Sequence, residues 1–305
     1  MKTVEYVFNA DSRSAQFKFY ALGDIHVGAL NCAEHEFMRL VRTIANDDNA
    51  RWIGGGDMLD AVIIQDAKRF DINSLPDWMV TGSAKSVKAM VGDIIAAQKR
   101  RFLHMVKPIK DKCLGLIEGN HEYSIFKHHN RDVMAELCNA MEVPNLTDCT
   151  FMRLKFKRHT VGTPQVAVVT VFACHGHSAG RSSGAEPNNL FKLSADKHAD
   201  IVLTGHSHTF NIHPPIPIMR LPANGKLLAE PIVREKYAAN WGSYMLTYKD
   251  GPSTYASRAN YPIRPMYTVE TTITPFRTIA YKCAKEDLSD AQISCPEIEM
   301  RQLKL

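Results

Sequence analysis

The sequence has no apolar run long enough to span a membrane, and its opening segment, Met1 to Tyr20, alternates polar and apolar residues instead of presenting the core of a secretory signal. Secretion and membrane insertion are both unexpected. Close cysteine pairs are missing too. Cys32, Cys113, Cys138, Cys149, Cys174, Cys283 and Cys295 are scattered and odd in number, which argues against a disulfide framework and predicts reduced thiols in a cytoplasmic protein. Charge of one sign is scarce: the formal +5 is spread along the chain, enough to help hold an anion but short of a nucleic-acid-binding signature by itself. With no Gly/Ser linker, repeat or low-complexity tract, the 305 residues read as one domain, with a motif-bearing part over 17–210 and a β-rich part over 211–280.

What the chain does have is a series of short polar clusters, each placed after an apolar run. Phe17 to Leu22 leads into Gly23-Asp24-Ile25-His26, and Trp52-Ile53 into the glycines before Asp57. Cys113 to Ile117 leads into Gly119-Asn120-His121-Glu122, Val166 to Cys174 into His175-Gly176-His177, and Ile201 to Leu203 into Gly205-His206-Ser207-His208. Helical spacing appears in Glu34–Asn46 (Phe37, Leu40, Val41, Ile44), Ala84–Val106 (Val87, Met90, Val91, Ile94, Ile95) and Arg131–Met141 (Val133, Met134, Leu137, Met141). Met152, Leu154 and Phe156 alternate with Arg153, Lys155 and Lys157, a strand with one wet face, whereas Val166 to Cys174 reads as a central strand buried on both faces. Beyond Phe210, Pro214, Pro215, Pro217 and Pro222 suggest short strands, Asn224-Gly225 signals a hairpin, and Tyr244–Tyr248 and Tyr267–Ile273 read as further strands. In an open α/β sheet the carboxyl ends of strands line one edge, so such loops can converge on one crevice.

The residue types in those loops suit divalent metals. Asp24 and His26 lie two apart, as do His206 and His208, so in extended chain each pair points to one side and can chelate. Asp57 follows three glycines, which allow the close approach and unusual dihedrals a carboxylate between two cations requires. Asn120 offers a neutral oxygen, and His175 ends an apolar strand. Each of these taken alone fits a polar turn or a satisfied core histidine; it is their joint placement that points to a site. Carboxylate, imidazole and amide donors without thiolate suit manganese first, with iron, zinc or nickel also compatible.

These blocks resemble, in order, the D-x-H, G-D-x-x-D, G-N-H-E/D, H and G-H-x-H pattern of the calcineurin-like metallophosphoesterases, over residues 23–208. The resemblance implies an α/β fold, a four-layer α/β/β/α sandwich with two facing mixed sheets. It implies two divalent metal ions, the first held by Asp24, His26 and His208, the second by Asn120, His175 and His206, with Asp57 bridging them. It also implies hydrolysis of phosphoester bonds by a water activated between the metals, with His121 as the catalytic histidine beside the phosphate. Asp60, the last position of its block, is expected to make a structural hydrogen bond.

Two divalent cations set against the Asp24 and Asp57 carboxylates and one hydroxide leave a small positive residue, which suits a phosphodiester anion. A phosphodiesterase is therefore the leading expectation, with a phosphomonoesterase and a DNA nuclease as alternatives; the substrate partner is a phosphoester, with nucleotides and nucleic acid among the options. Ala61-Val62 after Asp60 departs from the protein phosphatases, and His121 departs from the lipid pyrophosphohydrolases, which carry Arg there. From another class comes a non-catalytic metal-binding scaffold, whose relatives tend to lose ligands that are all present here. Candidate substrate contacts are His177, Arg181 in the loop after it, and a basic rim of Lys127, His128, His129 and Arg131.

Overall fold

The computed structural model describes residues 1–66, 70–80, 93–159, 164–177, 184–220, 232–249, 257, 263, 266–281 and 291–305. Arg181, the Asn224-Gly225 hairpin and the segment holding Val87, Met90 and Val91 lie outside them. In chain order the strands are Lys2–Asn9 (β1), Phe17–Leu22 (β2), Ala50–Gly54 (β3), Cys113–Leu116 (β4), Cys149–Arg158 (β5), Gln165–Cys174 (β6), Ile201–Thr204 (β7), Phe210–Arg220 (β8), Ile232–Trp241 (β9), Tyr267–Tyr281 (β10) and Ala291–Lys304 (β11). The helices are Glu34–Ala45 (α1), Ile94–Val106 (α2), Asn120–His129 (α3), Val133–Met141 (α4) and Ala185–Ala195 (α5).

Strand alternation builds the layers. Phe17, Phe19 and Ala21 on one face of β2 share a core with Met152, Leu154 and Phe156 of β5 and Val169, Val171 and Ala173 of β6. Tyr20 and Leu22, on the opposite face, pack against Phe37, Leu40 and Val41 of α1, Phe102 of α2 and Leu137 of α4. On the far side of the other sheet, Phe172, Val202 and Ala238 meet Leu190 of α5. The order is helices, sheet, sheet, helix, the four-layer arrangement that the resemblance implies. One sheet runs β1-β5-β6-β7-β9-β8 and the other β11-β10-β2-β3-β4. Within them β2, β3 and β4 are parallel, as are β6, β7 and β9, so the ends that carry the polar clusters fall on shared edges.

Several expectations are corrected. β6 is buried on both faces only over its last four residues; its first half alternates, and Val166 is exposed. Tyr244–Tyr248 is a loop, because its amides pair with the Asp24 loop (Tyr244 N–H to Asp24 O, Leu246 N–H to Asn31 O) instead of with a sheet. The region after Phe210 forms long strands: β8 carries Pro214, Pro215 and Pro217, tolerated because it is an edge strand with a register shift between His213 and Ile216. β10 and β11 pair over most of their 15 and 14 residues. Among the described residues no helix is long and apolar enough to cross a membrane, and Cys32, Cys113, Cys138, Cys149 and Cys174 are free thiols.

Candidate metal centre

The polar clusters meet at the carboxyl ends of β2, β3, β4, β6 and β7. Asp24 and His26 do not sit in extended chain as their spacing suggested. Both have left-handed backbone, φ 51° and 53°, and so do Asp57 (52°), His206 (67°) and His208 (55°). Non-glycine residues rarely adopt this region, and its concentration in five candidate ligands marks a site where the backbone is constrained for function. The glycines before Asp57 serve as expected: Gly56 has φ 92°, and a Cβ there would overlap the His175 ring and the Gly119 backbone.

Two groups of donors form side by side. Asp24, His26 and His208 make one, Asp57, His175 and His206 the other, and a third set, His26, Asp57 and His121, spans the junction between them; within each, the ligand atoms lie within 4.8 Å of one another. Asn120 joins the second group, its Oδ1 3.0 Å from His175 Nε2. Asp57 Oδ2 lies between the two, 3.3 Å from His175 Nε2 and 3.8 Å from His26 Nε2. His26 Nε2 faces His208 Nε2 at 3.1 Å, and His206 Nδ1 faces His175 Nε2 at 3.2 Å, pairs of ring nitrogens in which a bridging proton serves at most one contact at a time. Asp24 Oδ1, 3.5 Å from His208 Nε2, is buried without a hydrogen-bond partner, and so is His26 Nδ1. A buried unpaired carboxylate oxygen such as Asp24 Oδ1 is costly without a ligand, and a divalent cation between it and the His26 and His208 Nε2 atoms would satisfy it. The residues present fit divalent cations.

The charges agree. Burial would raise the Asp57 carboxyl, but the surrounding His175, His121 and His26 rings hold it well below the carboxylate range. Burial lowers the His208 ring to about 4, leaving a neutral imidazole.

Residues to which the sequence reading gave no role hold these ligands. Trp241, at the end of β9, donates from Nε1 to Asp24 Oδ2 at 2.8 Å, and the His206 N–H donates to the same oxygen at 3.0 Å, so Oδ1 is left for a ligand. Its indole also packs under Gly23, Gly55 and Gly205, where a Cβ at any of the three would overlap the ring. Three ligand-bearing turns thus rest on one side chain. Glu122, fully buried, accepts from the Asp57 N–H at 3.0 Å and the Leu59 N–H at 2.9 Å and so fixes the Asp57 loop. Burial, then the nearby Asp57 charge, push its carboxyl up. The spacing of Glu122 from His121 in a known block was its only signal; Trp241, directly before Gly242 at the end of a late strand, had none.

His121 donates its backbone N–H to Asp57 Oδ1 at 2.9 Å, its ring stands edge-on to His26 with centroids 4.7 Å apart, and its Nδ1 meets the Asp60 carbonyl. Asp60 thus acts through its backbone; its carboxylate is 3.6 Å from His26 Nδ1, too long for a hydrogen bond. The basic rim is smaller than expected, because Arg131 is taken up by Asp93 and Glu136. Lys127, His128 and His129 remain, in the last turn of α3, a helix the sequence reading missed because only Glu122 and Ile125 are buried along it. His177 is exposed and takes part in none of the contacts described here.

The sequence matches no family model and no curated relative. Among solved structures the chain is similar to a calcineurin-like phosphoesterase, YfkN, from Bacillus subtilis (13% identity, 93% of this chain and 90% of that one, TM-score 0.38). It is also similar to a predicted phosphoesterase from Streptococcus pneumoniae (12% identity, 94% and 99%, TM-score 0.32) and to zinc-complexed Vps29 from Entamoeba histolytica (10% identity, 94% and 99%, TM-score 0.33). With TM-scores this low, none of the three decides what this chain does.

Proposed function

We propose that the chain is a calcineurin-like metallophosphoesterase that hydrolyses phosphodiesters with two divalent metal ions, the first held by Asp24, His26 and His208 and the second by Asn120, His175 and His206. The observation that carries this reading is Asp57, whose Oδ2 is shared between His26 and His175 at the junction of the two donor groups. When bound, such ions lower the pKa of a water and offset charge on a phosphoryl group. The protein's own part is positional. Trp241 and the His206 N–H turn the Asp24 carboxylate, Glu122 holds the Asp57 loop, and the Asp60 carbonyl keeps a proton on His121 Nδ1. That leaves His121 Nε2 to exchange a proton with the leaving oxygen. A diester is favoured over a monoester because Arg131, one candidate for a second anion clamp, is occupied by Asp93 and Glu136.

Hydrolysis of an aryl phosphodiester and an aryl phosphomonoester with saturating manganese, alongside elemental analysis, tests the reading. Two metals per chain and a higher kcat/KM for the diester are expected. His121→Ala should keep both metals and lose about a hundredfold in kcat. A protein that binds both metals and cleaves neither ester would be a metal-binding scaffold and would overturn the proposal.

A further inference from the structure

We infer that the outer face of α3 is a stacking platform for the bases of a single-stranded nucleic acid whose phosphodiester backbone reaches the metal centre, an inference that rests on the phosphodiesterase reading. The helix begins inside the site. Asn120, its first residue, is exposed, with Oδ1 3.0 Å from His175 Nε2. Helical positions three and four apart share a face, so Tyr123 lies one turn beyond Asn120 and Lys127 one turn beyond Tyr123, with Phe126 alongside. The opposite face is already spent on packing, through the buried Glu122 and Ile125. Tyr123 and Phe126 therefore stand outside the core, 49% and 45% exposed, with ring centroids 6.3 Å apart.

Charge selects the occupant. Between Tyr123 and His129 there is no acidic residue, and among the described residues Lys127 enters no ion pair, in contrast to Arg131. Two rings beside an unpaired cation, with no carboxylate between them, complement a base and a phosphate. An apolar patch for a second copy of the chain would gain nothing from Lys127. Stacking on aromatic rings tolerates any base, so the platform would grip the strand without choosing its sequence, and it needs the bases unpaired. The direction of the helix supplies the link to chemistry: a strand lying along it passes from Lys127 over Tyr123 to Asn120.

The test is fluorescence anisotropy of a labelled single-stranded phosphorothioate oligonucleotide, which resists hydrolysis, with the manganese-loaded protein. Wild type should bind it more tightly than the matching duplex. Tyr123→Ala and Phe126→Ala should each weaken binding about fivefold to a hundredfold, with Tyr123→Trp retaining it. Lys127→Ala should lower the slope of log affinity against log salt by about 0.7. Equal affinity of wild type and the Tyr123→Ala/Phe126→Ala double variant, or equal affinity for duplex and single strand, would overturn the inference. So would self-association of the wild type that the double variant abolishes without any oligonucleotide binding. An active aryl diesterase with unchanged oligonucleotide affinity in these variants sinks only the platform. A wild type that binds through these residues yet cleaves no phosphoester sinks only the hydrolase.

Discussion

In the half of the metal centre formed by Asp24, His26 and His208, the carboxylate is completely buried and fixed by an indole and a backbone N–H, His26 is also buried, and His208 alone is part-exposed. In the half formed by Asn120, His175 and His206, His175 is buried but the amide of Asn120 is open and His206 is only half-buried. The first half is open only at His208, the second at both Asn120 and His206. The difference shows how one crevice can keep a rigid set of donors and an accessible one without separate domains: the Trp241 indole packs under turns of both halves but donates a hydrogen bond only to Asp24, while the second half includes the start of a short helix.

The residue common to both halves offers the strongest way to break this comparison. Asp57→Asn should weaken metal binding in both, by at least about a hundredfold, and abolish turnover, because an amide cannot serve two cations as a carboxylate does. Elemental analysis checks it; two tightly held metals in the purified variant would remove Asp57 from the junction. Trp241→Phe sharpens the contrast, keeping most of the ring under the three glycines while deleting the donor to Asp24 Oδ2. It should cost about tenfold or more in metal affinity in the Asp24 half only. It should also cost about 2 kcal/mol of stability in urea for the lost charged hydrogen bond. Equal losses in both halves would show that the ring's packing under the three turns, and not its hydrogen bond to Asp24, sets the effect.

The smallest effect lies behind the more open half, where Glu136 pairs with Arg131 and Lys99. The Arg131 hydrogen bond, against a smaller opposing effect of burial and helped by Lys99, lowers its carboxyl from the usual 4.5 to about 2. A depressed carboxyl pKa means the contribution is complete above 4.5 and fades as the pH falls toward about 2. Glu136→Gln should therefore be less stable than wild type by under about 1 kcal/mol near neutrality, with the gap closing in that acid window. Urea titrations of both proteins at several pH values measure it. A gap that stays constant down to the lowest pH would mean the side chain acts by packing.

The ligand residues were legible because they are written as short runs next to glycines and after apolar strands, and all seven do come together. The geometry that brings them together was not legible. D-x-H suggested two side chains on one side of extended chain, whereas the molecule uses left-handed backbone at both residues, a choice imposed by the partners each loop meets from elsewhere in the chain. The helices α1 and α4 followed from apolar spacing; α3 did not, since its buried face is only Glu122 and Ile125. Trp241 could not be found by any local pattern, because its partners at 23, 55 and 205 are distant in sequence. The residues 214–217 misled in the opposite direction: the prolines suggested short strands, and here they occupy a long one that, among the described residues, lies at the edge of its sheet.

That placement governs how copies of the molecule treat one another. A free strand edge offers a row of N–H and C=O groups on which another chain can extend the sheet, the first step toward fibrous aggregates. On β8 the positions 214, 215 and 217 have no N–H to offer, and the register shift at His213 to Ile216 breaks the even spacing a pairing strand would need. At its β8 end the six-stranded sheet therefore closes in a border that resists further growth, and the prolines that made this stretch look irregular in the sequence are what blunt it.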